Sequence, residues 1–465
     1  MATRDSWVSN LGFVLAAVGS AAGLGNIWRF PWLTAENGGS AFLVMYLLLI
    51  IGVGVPGLLA EFVLGRRGKQ TPTGALRSLI GSPEGPALGS FNVVTTIVML
   101  SFYSVVGGWI LRYTLVSPVG AYFGQPAQYF GQMSYGLQAV GFHLAFLAII
   151  AAIVFFGVSR GIERVSKVML PAVVVLLIGL AAWTMTQPDT AAGYAFYLGF
   201  DGEYLAANFV SILGPAAGQA LFTLSLGAGA MLTYASYLED DASLPRATLV
   251  IAISNTVIGV LAGLIVIPLL FSQGIDPGQG GPGALFVALA SVFGSLPGGA
   301  VVATVFFATV LLAAVTSGIS LLETPVATLV DEYGVSRRRA TVGVSLLIAV
   351  TGGGLALASS VFRFVSGPLV DIMLSVGLFA FLAIAGWILR TEAIEEFSAG
   401  AGRLDALATP WVMTVSWVLP VVVLFSLLST FTSLAGISLG LNGRAVVAIT
   451  GTIVCRIAVA SATGD

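Results

Sequence analysis

The sequence predicts an all-α integral membrane protein of eleven or twelve transmembrane helices, and three observations carry that prediction. The 465 residues are 57% hydrophobic and only 9% charged, with a mean hydropathy of +1.00, whereas soluble domains carry about 25% charged residues. The apolar residues fall in runs close to the roughly 20 residues that a helix needs to cross hydrocarbon. Charges or glycine and proline clusters bound these runs, which leaves no room for a sizeable extramembranous domain.

In chain order the runs are 8–34, 40–65, 89–117, 140–159, 165–186, 206–238, 245–272, 299–330, 340–359, 366–390 and 410–435. A twelfth, 444–461, is marginal because it is short and carries Arg444 and Arg456. Met1–Trp7 is short and polar, and the apolar stretch behind it has no small-residue cleavage site, so it reads as a first span. Residues 284–296 are apolar but too short to cross, and read as a re-entrant or interfacial hairpin. With the N-terminus cytoplasmic, inside segments hold Arg4, Arg66, Arg67, Lys69, Arg77, Arg160, Arg164, Lys167, Arg246, Arg337, Arg338, Arg339, Arg390 and Arg403, while the long loop 118–139 has no basic residue. The positive-inside rule therefore predicts a cytoplasmic N-terminus in the cell membrane.

Composition also excludes function classes. The 19 basic and 21 acidic residues nearly cancel, so no field attracts nucleic acid. Cys455 is the sole cysteine and His143 the sole histidine, which excludes an internal disulfide and leaves too few soft ligands for zinc or copper. Serine-histidine catalysis would rest on His143 alone, so the chain is not read as an enzyme. The sequence carries no sign of oligomeric state.

The first and sixth spans share an oddity. The first reads Gly19-Ser20-Ala21-Ala22-Gly23-Leu24-Gly25-Asn26 and the sixth Phe222-Thr223-Leu224-Ser225-Leu226-Gly227-Ala228-Gly229. Glycines and small polar residues at mid-membrane predict that both helices are interrupted. The two spans lie five apart and run in opposite directions, so about 8–186 and 206–390 are expected to form two five-helix inverted repeats. These sit in one transmembrane domain, 1–465, with accessory helices at about 410–461. In that arrangement broken helices mark a transport site. The alternative is close helix packing, which Gly19-xxx-Gly23 also fits, but paired interruptions favour the broken pair.

Gly23-Leu24-Gly25-Asn26-Ile27-Trp28-Arg29-Phe30-Pro31, Glu36-Asn37-Gly38-Gly39, Phe222 to Tyr237 and Val315-Thr316-Ser317 give a resemblance from Arg4 to about Arg390. The chain resembles the prokaryotic neurotransmitter:sodium symporters, with the leucine-transporter fold. That resemblance implies a sodium-coupled symporter that imports a neutral amino acid by alternating access. A sodium-dependent sensor or a channel is the alternative, and the lack of a ring of pore-lining charges speaks against a channel.

Sodium prefers oxygen ligands, and an unwound helix offers carbonyls freed from their helical partners. The resemblance implies two ions. One would take carbonyls of Gly19, Ala22 and Ala313 with the hydroxyls of Thr316 and Ser317. The other would take the Ala21 carbonyl, side-chain oxygens of Asn26 and Asn255, Thr223 through carbonyl and hydroxyl, and an oxygen of the substrate. Thr316 and Ser317 could instead bond their own helix, and Asn26 and Asn255 could serve an interhelical hydrogen bond. The substrate carboxylate would meet amides near Leu24 and Gly25 and the Tyr103 hydroxyl, and its ammonium the carbonyls of Ala21, Phe222 and Thr223 and the Ser225 hydroxyl. Ser20, Met99, Phe222, Ala228, Ser317 and Leu321 would surround the side chain, with small Ala228 favouring a bulky hydrophobic or aromatic amino acid.

The resemblance also implies gates. Arg4, Trp7, Ser236, Tyr237 and Asp331 match the cytoplasmic one, where the basic N-terminal residue pairs with the acid, or else forms a solvated pair worth about 0–1 kcal/mol. Arg29 matches the outer gate, but its usual acidic partner aligns with Leu374, leaving Asp371 one turn earlier, so occlusion is expected to lean on Tyr103 and Phe222. For chloride, relatives use Tyr46, Gln219, Thr223 and Asn255 or a carboxylate where this chain has Gly259, and neither arrangement is complete. Glu61 is expected to bond backbone at the broken first helix, and Glu323 to titrate or stay protonated and inert. Gly161 and Pro171 bracket a stretch of the fifth span that either unwinds or only kinks.

Overall fold

A computed structural model describes residues 6–239, 242–274 and 283–434. Arg4 and the twelfth run, 444–461, lie outside the described residues. Within them ten helices are long and apolar enough to cross a membrane, or eleven when one bent pair counts as a single span. That pair is α1 (Asn10–Ala21) and α2 (Gly25–Glu36), bent by 43°. There follow α3 (Ser40–Gly68), α4 (Pro72–Ile80), α5 (Glu84–Val119), α6 (Pro126–Met133), α7 (Leu137–Phe155) and α8 (Val158–Thr184). The second half runs α9 (Ala191–Leu198), α10 (Gly202–Thr223), α11 (Ala230–Ala235), α12 (Leu244–Ser272), α13 (Ala284–Ser295), α14 (Gly299–Tyr333), α15 (Arg337–Leu357), α16 (Ser359–Ile388), α17 (Arg390–Ser398) and α18 (Gly402–Leu428).

Local chemistry sets the boundaries that matter for the site. Ser9 is extended and caps α1, its hydroxyl accepting from the Gly12 amide at 3.0 Å. α2 opens with a widened π turn, Gly25–Arg29, a feature common at functional positions. The sixth apolar run is two helices, α10 and α11, rather than one. Run 284–296 is a single helix, α13, and not a hairpin. Twelve residues suffice for three turns that bury Phe286, Leu289, Val292 and Phe293, with the Phe286 ring stacked on Phe130 at 5.4 Å and on Phe307 at 6.2 Å.

α1 packs against α8, α12 and α14, α14 lies along α5, and α11 lies against α3. The last contact needs Gly65, where a Cβ would stand 2.2 Å from the Leu232 carbonyl oxygen. On the side of the N-terminus, the buried Arg66 joins α3 to α17. Its Nε lies 2.6 Å from Glu396 Oε2, its Nη2 donates to the Glu396 carbonyl at 2.6 Å, and its Nη1 donates to the Ala242 carbonyl.

Candidate functional site

The first span loses its helical register at Ala22, whose ψ of 55° turns the chain out of the helix. The Gly23 amide then folds back onto the Ala21 carbonyl at 3.0 Å, and helical bonding resumes only when Asn26 reaches the Gly23 carbonyl at 3.1 Å. Glycine is needed at 23 because a Cβ there would lie 2.0 Å from Ser317 Oγ and 2.8 Å from the Tyr103 hydroxyl. That hydroxyl accepts from the Leu24 amide at 3.3 Å.

The sixth span breaks between Thr223 and Ala230. Ser225, Gly227 and Gly229 all take left-handed φ, of 53°, 84° and 78°. Glycine adopts this conformation readily, but for serine it is strained, a cost that concentrates at functional sites. Two buried side chains satisfy the exposed peptide: Glu61 Oε1 accepts from the Gly227 amide and Asn92 Nδ2 donates to its carbonyl, each at 2.6 Å. Glu61 thus serves the broken sixth helix, not the first as the sequence suggested. α3 runs beside α11 and brings the carboxylate to the second break.

Two sets of oxygens gather around these breaks. In the first, Asn26 Nδ2 donates to the Asn255 carbonyl at 2.6 Å and to its Oδ1 at 3.0 Å, while Thr223 Oγ1 donates to Asn26 Oδ1 and lies 3.3 Å from Asn255 Oδ1. The Tyr46 hydroxyl lies against Thr223 and Asn255, and Gln219 Nε2 donates to the Gly25 carbonyl at 2.7 Å. In the second set, Ser317 Oγ crosses from α14 to the Ser20 carbonyl at 2.7 Å and the Gly19 carbonyl at 3.2 Å. Thr316 Oγ1 bonds the Ala313 carbonyl of its own helix at 2.9 Å, and its Cβ stands 3.1 Å from where a Cβ on Gly19 would be. Both sets consist of amide, hydroxyl and backbone oxygens, the donor class of hard cations.

The other residues named from the sequence flank these breaks or sit on helices beside them. Ser20, Ala21, Ala22, Leu24 and Gly25 belong to the first break and its edges, and Phe222, Ser225 and Ala228 to the second. Met99 sits on α5 and Leu321 on α14, and all are buried. Ser20 Oγ also reaches Ser320 Oγ at 2.6 Å. Gly259 faces Asn26, a Cβ there being 3.5 Å from Nδ2.

Away from the N-terminus, a cavity of about 670 Å³ descends to Phe222, Arg29 and Asp371. Arg29 Nη2 lies 3.4 Å from both Asp371 oxygens, and its guanidinium sits 4.8 Å from the centre of the Phe222 ring. The Arg29–Asp371 ion pair therefore forms, contrary to the expectation drawn from Leu374. Asp371 stands three residues before Leu374 on α16, so the two share one helix face, and both line the cavity beside Arg29. On the opposite side Trp7 Nε1 donates to the Tyr234 carbonyl at 2.9 Å, and the Trp7 ring meets Phe13, Tyr234 and Tyr237 edge to face. Ser236 Oγ bonds the Thr233 carbonyl at 2.6 Å. Asp331 stands near the end of α14, while its expected partner Arg4 is outside the described residues. Glu323 is fully buried but paired, accepting from the Tyr237 hydroxyl at 2.8 Å and from Arg337.

Sequence reasoning missed Asn92 and Arg337. Asn92 carried a usable signal, since a lone amide in an apolar run must find a buried partner. Arg337 was read only as one of three basic residues marking the inside.

The family pattern described as the sodium:neurotransmitter symporter family matches residues 4–122 and 116–439. An uncharacterised sodium-dependent transporter of Bacillus subtilis, YhdH, is 33% identical over 441 residues, covering 91% of this chain and 97% of its own length. The sodium-dependent dopamine transporter of Bos taurus is 24% identical, covering 91% and 68%. The crystal structure of MhsT in complex with L-phenylalanine is similar at a TM-score of 0.83 and 34% identity, over 92% of this chain and all of that one. With both breaks inside the matched residues, the chain belongs to the sodium:neurotransmitter symporter family, whose members are membrane-embedded, sodium-dependent secondary transporters rather than enzymes.

Proposed function

We propose that this protein imports a neutral, bulky hydrophobic or aromatic amino acid across the cell membrane, driven by two sodium ions and with its N-terminus cytoplasmic. The observation that carries the reading is the meeting of the two breaks, where Asn26, Thr223 and Asn255 converge beside the Leu24 amide and the Tyr103 hydroxyl. The similarity to MhsT, crystallised with L-phenylalanine, supports the substrate class.

One ion would lie among Ala21, Asn26, Thr223, Asn255 and a carboxylate oxygen of the substrate, which ties ion binding to substrate binding. The second would lie among Gly19, Ala22, Ala313, Thr316 and Ser317. Both would be held without a protein carboxylate, so each ion carries its full charge through the field, releasing about 2.3 kcal/mol per 100 mV. The substrate would lie under Phe222, its carboxylate toward Leu24, Gly25 and Tyr103, its ammonium toward Ala21, Phe222, Thr223 and Ser225. Its side chain would fill the space bounded by Ser20, Met99, Ala228, Ser317 and Leu321. Arg29 and Asp371 would close the outer path, and Arg4, Trp7, Ser236, Tyr237 and Asp331 the inner one.

Purified protein should bind L-phenylalanine in sodium and not in potassium, and proteoliposomes should exchange labelled for unlabelled substrate. Sodium-independent binding would sink the symport reading, and binding without counterflow would favour a sensor. Ala228→Leu is expected to weaken phenylalanine binding tenfold or more while sparing alanine, since a methylene in an apolar pocket discriminates by about 10–200-fold. An equal loss for both amino acids would remove Ala228 from the subsite. Asp371→Asn should cost no more than about fivefold in substrate affinity, because a partly exposed ion pair contributes about 0.2–1 kcal/mol. A loss above fiftyfold in a binding titration would give the pair a larger part.

A further inference from the structure

Glu163 begins the straight part of α8 and is 1% exposed, yet nothing in the proposed transport cycle uses it. Its carboxylate reaches out of α8 to the start of the first span. Oε2 accepts from the Val8 amide at 2.7 Å, and Oε1 accepts from the Ser9 hydroxyl at 3.0 Å and from Lys167 Nζ at 2.6 Å. Ser9 therefore works twice, giving its proton to Glu163 and a lone pair to the Gly12 amide that starts α1. The negative charge also lies at the positive end of the α1 dipole. The approach is so close that a Cβ on Gly12 would stand 2.1 Å from Glu163 Oε1, so residue 12 must be glycine while the carboxylate is in place.

The base of α8 is built to give way. Val158–Ile162 is a widened π turn, immediately before Glu163. Pro171 inside the helix has no amide to offer the Lys167 carbonyl. When this stretch loosens, Glu163 leaves the Val8 amide and the Ser9 hydroxyl, and the first turn of α1 loses the acceptor that fixes it against α8.

We infer that Glu163 is a positioning residue, a latch that keeps the α1 half of the broken first span closed and releases it when the base of α8 unwinds. The inference rests on the alternating-access reading above, because it assigns the trigger for inner opening. Its test reads the latch directly, without substrate. Hydrogen exchange of the amides in residues 8–21 is followed by mass spectrometry in sodium for wild type, Glu163→Gln, Glu163→Ala, Gly12→Ala and the double variant with alanine at both positions. Losing charge-assisted hydrogen bonds from a buried acceptor predicts about ten- to hundredfold faster exchange in Glu163→Ala, with α5 and α14 peptides unchanged. Glu163→Gln keeps the size and one acceptor and should fall between. Gly12→Ala should loosen the segment by a similar factor through its clash, but should add less than about twofold once Glu163 is alanine, because the clashing atoms are gone. Apparent sodium affinity should fall in the same order, as the ions escape from the opened state.

Unchanged exchange in Glu163→Ala would overturn the latch, and so would an equal effect of Gly12→Ala in both backgrounds. General unfolding would raise exchange in α5 and α14 as well, and would likewise count against it. If wild type shows no sodium-dependent binding while the exchange pattern holds, the transport reading fails and the contact remains a structural clamp only.

Discussion

Asn26→Leu is expected to weaken sodium binding by more than a hundredfold, with substrate binding lost alongside. The amide of Asn26 makes two hydrogen bonds to Asn255 and receives one from Thr223 in a fully buried setting. An apolar isostere removes a proposed ion ligand and leaves the Asn255 carbonyl and the Thr223 hydroxyl without that partner. Each orphaned group costs about 1–3 kcal/mol, so two of them already exceed a hundredfold at the upper end. A sodium titration of labelled phenylalanine binding is the measurement, with thermal stability in potassium as the check that the fold survives. Sodium affinity within threefold of wild type would show that Asn26 only ties α2 to α12.

Gly227→Ala is expected to have the largest effect on stability. Residue 227 has a φ of 84°, and an added Cβ would stand 1.9 Å from the Leu374 carbonyl oxygen and 2.8 Å from the Leu378 nitrogen. The left-handed backbone costs alanine about 1–2 kcal/mol, and overpacking adds about 1–3 kcal/mol. A midpoint of thermal aggregation lowered by about 2–5 °C is therefore expected, since a chain of this length shifts by about 1 °C per kcal/mol. Gly377→Ala should act in the same direction, because its Cβ would meet the Gly227 carbonyl oxygen at 2.0 Å and Asn92 Nδ2 at 2.5 Å. Wild-type midpoints in both variants would mean that the second break is free to move away from α16.

Hydropathy alone located the spans, because each must bury its own backbone bonds in hydrocarbon and so declares its length. The first break was legible in Gly19 to Asn26, where small residues and an amide interrupt an apolar run. The second was legible only in part: Gly227 and Gly229 announced it, but Ser225 did not, since serine seldom adopts left-handed φ. Asp371 lies one turn before Leu374, where the usual acid aligns, and because positions three apart share a helix face the ion pair to Arg29 survives that shift. Glu163 gave no sequence signal for its bond to Val8, since the two are 155 positions apart and no periodic pattern links them. The ligand sets around Asn26 and Ser317 came from the family resemblance rather than from spacing.

Arg66 carries a consequence for how the chain is made. Its guanidinium is enclosed by the Ala242 carbonyl, 176 positions later, and by Glu396, 330 positions later. Chains emerge from the ribosome N-terminal end first, so this cation waits 176 residues for the Ala242 carbonyl and 330 for the Glu396 carboxylate. A buried charge lacking its partner costs about 3–5 kcal/mol, so the end of α3 stays at the wetted headgroup surface until α17 arrives. Pairing at this end of the bundle is thereby completed only from the last third of the chain, and a nascent chain that stops short of Glu396 leaves the Arg66 guanidinium without its carboxylate.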